Sequence, residues 1–206
     1  MRELACRNKC ATVEDIKIAN KVLLKAQKLD VKIKYFRLGN WRDLKVLAYT
    51  DSSYKNAENT EKSVGGRILF LANKHGQCVL LGWKSKTIQQ VCKSVKTAET
   101  RSPEFGMVDC ILIARMAHEI MSGKRGRQIP VEINIDSQTL KDSIVSSKQV
   151  EEKTTRHLIA WIKQQLEEKT VDLITWVPNQ EMVADVLTKK NVNTGQVLEI
   201  LMTGRL

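Results

Sequence analysis

The chain lacks the features that mark several large protein classes. Across 206 residues no apolar run approaches the ~20 that a membrane-crossing helix needs, so a membrane partner is not expected. Three prolines, ten glycines and no internal repeat exclude a collagen-like or low-complexity chain. Charged residues at 28% beside 42% apolar residues exclude a disordered tail, and this length can bury a core. The five cysteines form no disulfide framework. Cys6 and Cys10 are the one close pair, and none of His75, His118 or His157 lies near enough in sequence to complete a zinc set. The expectation is reduced, structural thiols. Met1-Arg2-Glu3-Leu4 shows neither the apolar core nor the small-residue cleavage site of a signal peptide, so an intracellular protein, cytoplasmic or nuclear, is expected.

Acid is scarce relative to base. The formal net charge is +11. It is concentrated in residues 1–50 and again over Lys84, Lys86, Lys93, Lys96 and Arg101, where Glu99 is the single acid. Basic segments this dense favour a polyanionic partner over a merely soluble surface.

The apolar pattern predicts a helix over 12–28 and an extended segment from Val31 to Leu38, broken at Gly39-Asn40. Strands follow at Leu44–Thr50, Gly66–Ala72 and Cys78–Trp83, the last two forming a hairpin around Asn73-Lys74-His75-Gly76. A basic linker leads to a long helix from about Ala98 to Met121. Its large apolar residues Phe105, Val108, Leu112, Met116 and Ile120 line one face, Met107, Ile111 and Ile113 extend it, and so much apolar girth implies a helix buried against a sheet and another helix. Val131–Ile135 is a strand, Thr139–Val145 and Glu152–Glu168 are helices, and Val171–Trp176 is a strand. Glu181–Leu187 and Gln196–Met202 are terminal helical pieces. The tryptophans read as core and His118 as a satisfied residue. Together the elements describe an α/β layer fold with an antiparallel meander feeding a parallel section.

Four acids stand where this order of elements brings functional groups together. Asp51 and Asp136 each end a strand after an apolar run, Glu99 opens the long helix, and Asp185 lies in the first turns of the last helix. Singly each could be a turn former or a cap. Gathered at one sheet edge, they would repel one another and raise each other's pKa unless cations compensate. Hard divalent ions with oxygen ligands, Mg²⁺ first, do this, and a pair of them can clamp an in-line phosphoryl displacement. Two arrangements would exclude that reading: the three aspartates lying apart, or a lysine ammonium filling the gap between them.

Several collinear stretches carry a family resemblance. They are Ala48-Tyr49-Thr50-Asp51-Ser52-Ser53, Ser63-Val64-Gly65-Gly66, Gly82-Trp83-Lys84-Ser85-Lys86, Ala98-Glu99 and Ile135-Asp136-Ser137-Gln138. The most specific pairing is Trp176-Val177-Pro178 with Ala184-Asp185-Val186-Leu187-Thr188-Lys189. Through these, residues 44–206 resemble the ribonuclease H domain of copia-type retrotransposon polyproteins. Residues 1–43 look like a remnant of the reverse transcriptase thumb and connection.

The resemblance implies a ribonuclease H-like fold, a mixed five-stranded sheet of three antiparallel then two parallel strands with helices on both faces. It implies two-metal hydrolysis of the RNA strand of an RNA–DNA hybrid, with two Mg²⁺ ions, or Mn²⁺ in their place, on Asp51, Glu99, Asp136 and Asp185. Ser94, Lys96 and Thr97 would contact the hybrid, and Lys84, Lys86 and Lys93 its phosphates. A reverse transcriptase domain is a further expected partner.

Three departures stand out. Pro103 follows Glu99 by four residues, where its missing N–H conflicts with a helix already begun. A helix starting only near Ser102 would leave Glu99 on a cap and make Glu104 a competing carboxylate. The loop Val177-Pro178-Asn179-Gln180 holds no His, which many ribonucleases H carry there, so slow turnover is expected. No polymerase precedes Met1, so a fragment of a decayed element and a host gene derived from one are both open. A catalytically weak, nucleic-acid-binding remnant is the competing function. Integrases of the same superfamily fit poorly, because their Glu follows the second strand-end Asp whereas Glu99 precedes Asp136.

Overall fold

The structure, a computed structural model, describes residue 4 and residues 10–29, 32–57, 61–126, 128–146, 152–190 and 192–206. Cys6, and Val31 at the start of the expected extended segment, lie outside them. The chain divides into two compact units, Met1–Ile33 and Lys34–Leu206. The first contains helix α1 (Val13–Lys28), begun by a capping box. The Thr12 hydroxyl accepts the Asp15 N–H while the Asp15 carboxylate accepts the Thr12 N–H, satisfying two amides that the helix leaves unpaired.

The second unit takes in residues 34–43, which the sequence pattern assigned ahead of the domain. Leu38 packs with Leu44 and Val79, and the Leu38 carbonyl accepts the Asn73 side-chain amide. Five strands follow: β1 (Leu44–Ser53), β2 (Val64–Asn73), β3 (Cys78–Thr87), β4 (Val131–Ile135) and β5 (Leu173–Trp176). They form one sheet in the order β3-β2-β1-β4-β5. β1–β2 and β2–β3 are antiparallel, while β1–β4 and β4–β5 are parallel. Helices α2 (Val95–Ser122), α3 (Gln138–Val145) and α4 (Lys153–Glu167) cover one face around Val46, Ala48, Ile133 and Ile135. The other face, built on Ile68, Phe70 and Leu80, is covered by a 3₁₀ turn (Val183–Leu187) and α5 (Gly195–Thr203). This is the mixed sheet with helices on both faces that the sequence led us to expect.

Helix α2 corrects two expectations. It starts at Val95, with the Ser94 hydroxyl accepting the Thr97 N–H, and runs unbroken through a buried Pro103. Glu99 is therefore inside the helix rather than on a cap, and Pro103 leaves only the Glu99 carbonyl without its usual amide donor. The helix also faces the sheet with its small residues. Ala98, Gly106, Cys110 and Ala114 are buried with Met107, whereas Phe105, Val108, Leu112, Met116 and Ile120 are exposed, Ile120 by 80%. Contact distance explains the reversal. A Cβ on Gly106 would sit 2.5 Å from Thr50 Cγ2, so only small side chains let the helix lie this close to β1.

One further reading changes in part. Trp83 is exposed and Trp176 lies at the surface, whereas Trp41 and Trp161 pack against the core. His118, buried edge-on against Trp41 and 3.3 Å from the Ser122 hydroxyl, is the satisfied residue expected. Among the described residues, Cys10, Cys78, Cys92 and Cys110 are free thiols, and burial pushes Cys78 up to about 11 and Cys110 up to about 12. No helix among the described residues is long and apolar enough to cross a membrane.

Candidate metal centre

Parallel pairing of β1 with β4 places the first two carboxylates. The paired ladder ends at Tyr49 beside Asn134, and two residues further along each chain segment are Asp51 and Asp136. Strand alternation turns both away from the α2 face, toward the 3₁₀ turn that carries Asp185. One carboxylate oxygen from each of Asp51, Asp136 and Asp185 lies within 4.8 Å of the other two. The turn is 3₁₀ and separate from α5, where the sequence reading put Asp185 in the first turns of a terminal helix.

Close packing and polar ties hold that turn against the sheet. Gly66, paired with Asp51 across β1–β2, is where the turn touches down: a Cβ there would lie 2.7 Å from Thr188 Cγ2 and 2.9 Å from Leu187 Cβ. The Ser85 hydroxyl on β3 donates to the Leu187 carbonyl at 2.6 Å, and the Asn56 amide donates to the Thr188 carbonyl at 3.3 Å. The Thr188 hydroxyl donates directly to Asp51 Oδ2. On the α2 side, Ser102 Oγ donates to the Asp51 carbonyl at 2.6 Å, fixing the strand end from behind.

The electrostatics follow from crowding in a dry setting. Asp51 is 4% exposed, and its carboxyl is pushed up to about 7. Burial is the main cause, and the charges of Asp136 and Asp185 add to it. The Thr188 hydrogen bond and the Lys189 charge pull the other way. Asp136 is raised as well, again chiefly by burial, with Asp185 and Glu99 contributing.

Glu99 stands beside the cluster rather than in it. Its Oε2 accepts the Ser137 hydroxyl at 2.7 Å, immediately after Asp136. Glu104, the competitor, is engaged in an ion pair with Arg101 at 2.8 Å.

Lys189 approaches the second excluding arrangement. Its Nζ lies 2.8 Å from Asp185 Oδ1 and 4.0 Å from Asp51 Oδ1. It does not fill the gap. One ammonium faces three carboxylates, its side chain is 38% exposed, and Asp51 remains pushed up to about 7 with Lys189 beside it. Three hard oxygens this close suit a divalent cation. Thr188 and Lys189 are the residues sequence reasoning missed. For Lys189 the available signal was its place four residues after Asp185, whose carboxylate it reaches; Thr188, which bonds Asp51, had none.

The expected nucleic-acid contacts divide. Lys84, Lys86 and Lys93 are exposed, the first two alternating on β3 with the site-facing Ser85. Thr97, by contrast, is 3% exposed and bonded to Glu152 and Thr155, so its side chain faces inward. Ser94 donates to Glu152 at 2.8 Å and Lys96 to Ser143 at 2.8 Å. These three knit α2 to its neighbours.

No protein-family model matches the chain, and no curated protein matches it. Solved structures do. LC11-RNase H1, isolated from compost by a metagenomic approach, is 18% identical. Its structure in complex with RNA/DNA hybrid aligns with a TM-score of 0.51 over 69% of this chain and 93% of that one. A second structure of it gives 0.51 over 70% and 92%. The N-terminal ribonuclease H domain of a Mycobacterium tuberculosis protein, solved as a maltose-binding-protein fusion, is 15% identical. It aligns with a TM-score of 0.50 over 78% of this chain and 97% of that one. The chain has the ribonuclease H-like fold.

Proposed function

We propose that this chain is a metal-dependent endoribonuclease that cleaves the RNA strand of RNA–DNA hybrids. We further propose that it derives from a copia-type retrotransposon polyprotein, residues 1–43 being a remnant of the reverse transcriptase thumb and connection. The observation that carries the activity is the meeting of Asp51, Asp136 and Asp185 within 4.8 Å at the strand-end edge of this fold. In this reading Asp51, Asp136, Asp185 and the neighbouring Glu99 would together hold the metal. Two Mg²⁺ ions, or Mn²⁺ in their place, would supply electrostatic stabilisation of the phosphoryl transfer and an activated water.

The chain's own groups do the rest. Thr188 fixes which Asp51 oxygen points outward by donating to the other. Ser137 orients Glu99 toward Asp136. Lys84, Lys86 and Lys93 offer exposed cations to substrate phosphates, and recognition of the hybrid would rest on its A-like shape and 2′-hydroxyls. An intracellular setting, cytoplasmic or nuclear, and a reverse transcriptase domain as partner belong to the same reading. The test is cleavage of an end-labelled hybrid by purified protein with Mg²⁺ or Mn²⁺. Cleavage is expected, with a loss of at least about 100-fold in Asp136→Asn. No cleavage, or cleavage indifferent to that substitution, refutes the enzyme and leaves a nucleic-acid-binding remnant.

A further inference from the structure

We infer that Lys189 is a tethered cation holding the Asp51–Asp185 side of the centre, so that a first divalent ion binds beside it and a second only by displacing it. The inference rests on the carboxylate cluster being a metal centre, and it adds a residue of the chain itself to the cation count.

The backbone puts the ammonium there. The Lys189 N–H donates to the Asp185 carbonyl at 2.9 Å and the Thr188 N–H to the same carbonyl at 3.1 Å, closing the turn. Thr188 and Leu187 are in turn fastened to Asp51, Asn56 and Ser85. With its α-carbon fixed, Lys189 reaches Asp185 at 2.8 Å and Asp51 at 4.0 Å, and makes no ion pair with Asp136 within 4.0 Å. The placement is therefore uneven: Asp185 and Asp51 hold the ammonium closely, Asp136 feels its charge only from beyond 4.0 Å, and that edge of the cluster is open to an external ion. The half-exposed stem gives the ammonium a route out to solvent. A divalent ion carries twice the charge and takes several oxygens at once, so it can replace the ammonium, but only against the attraction Lys189 already enjoys.

The experiment counts bound Mn²⁺ on the full chain by calorimetric titration and electron paramagnetic resonance, without substrate. Wild type, Lys189→Met, Lys189→Gln and Lys189→Arg are compared. Wild type is expected to take up one Mn²⁺ per chain tightly and a second weakly, and the Met and Gln variants to bind that second ion at least about tenfold more tightly. Lys189→Arg, which keeps the charge, is expected to match wild type. Either neutral variant that folds suffices to decide. Neutral variants with the same stoichiometry and affinity as wild type overturn the inference alone. Absence of Mn²⁺ binding by every variant overturns the metal-centre reading and this inference with it.

Discussion

Replacing Asp51 by Asn tests the electrostatics of the centre without any assay of activity. In the folded protein this carboxyl is raised from 3.8 to about 7, mainly by burial. Below about pH 4 it is protonated in both the folded and unfolded chain and contributes nothing to pH dependence. Between about 4 and 7 the folded state keeps a proton that the unfolded state has released, so stability falls as pH rises. Above about 7 the full cost is present. A shift of about three pKa units corresponds to at most about 4 kcal/mol, which for a domain of this size is roughly 8–16 °C in melting temperature. Lys189 and the hydrogen bond from Thr188 are already included in that shift, and any relaxation of the site on ionisation lowers the figure. Asn has the same shape and still accepts from Thr188. With EDTA present, Asp51→Asn should match wild type near pH 4 and become progressively more stable than wild type up to pH 8. Added Mg²⁺ should then raise the melting temperature of wild type at pH 8 and leave the variant unmoved. A stability difference that stays constant from pH 4 to 8, or a variant less stable than wild type at pH 8, refutes the account of Asp51 as a strained, buried anion.

Thr188→Val removes a hydrogen bond that lowers the Asp51 pKa, so Mn²⁺ binding should begin about one pH unit higher than in wild type, read from titrations at several pH values. Gly66→Ala should cost about 1–3 kcal/mol in urea unfolding, because its methyl group meets Thr188 and Leu187; Gly82→Ala, with nothing within 4 Å, should stay within about 0.5 kcal/mol. Leu112→Glu should also stay within about 0.5 kcal/mol, since its side chain is exposed; a loss of 3 kcal/mol would mean that the large residues of α2 do pack on the core.

The sequence made some of this legible and concealed the rest for physical reasons. Strand-end aspartates after apolar runs announce themselves, and Asp51 and Asp136 could be placed from the order of elements alone. The parallel pairing that sets them level needs only a crossover between β1 and β4. Helix α2 was located correctly and its Met107, Ile111 and Ile113 do pack on the core, but the main stripe from Phe105 to Ile120 faces outward. Its periodic large residues looked like a core face, whereas close approach to β1 selects Ala98, Gly106, Cys110 and Ala114, and hydrophobic size carries no information about distance. The partners of Asp51 were hidden for another reason. Thr188 reaches it across 137 positions of sequence, and nothing in the local pattern shows which strand a terminal turn will land on. The inward Thr97 was concealed likewise, because its partner Glu152 lies 55 residues away.

Because the turn holding Asp185 is fastened to the earlier strands β1 and β3 and brings the third carboxylate from late in the chain, synthesis order matters. A nascent polypeptide can finish all five strands while the third carboxylate is still inside the ribosome. Until that stretch emerges and docks, the incomplete protein carries the sheet and its basic surface but no closed acidic trio. Premature termination anywhere between Trp176 and Asp185 would leave the trio without its third member and the sheet face built on Ile68, Phe70 and Leu80 without its cover.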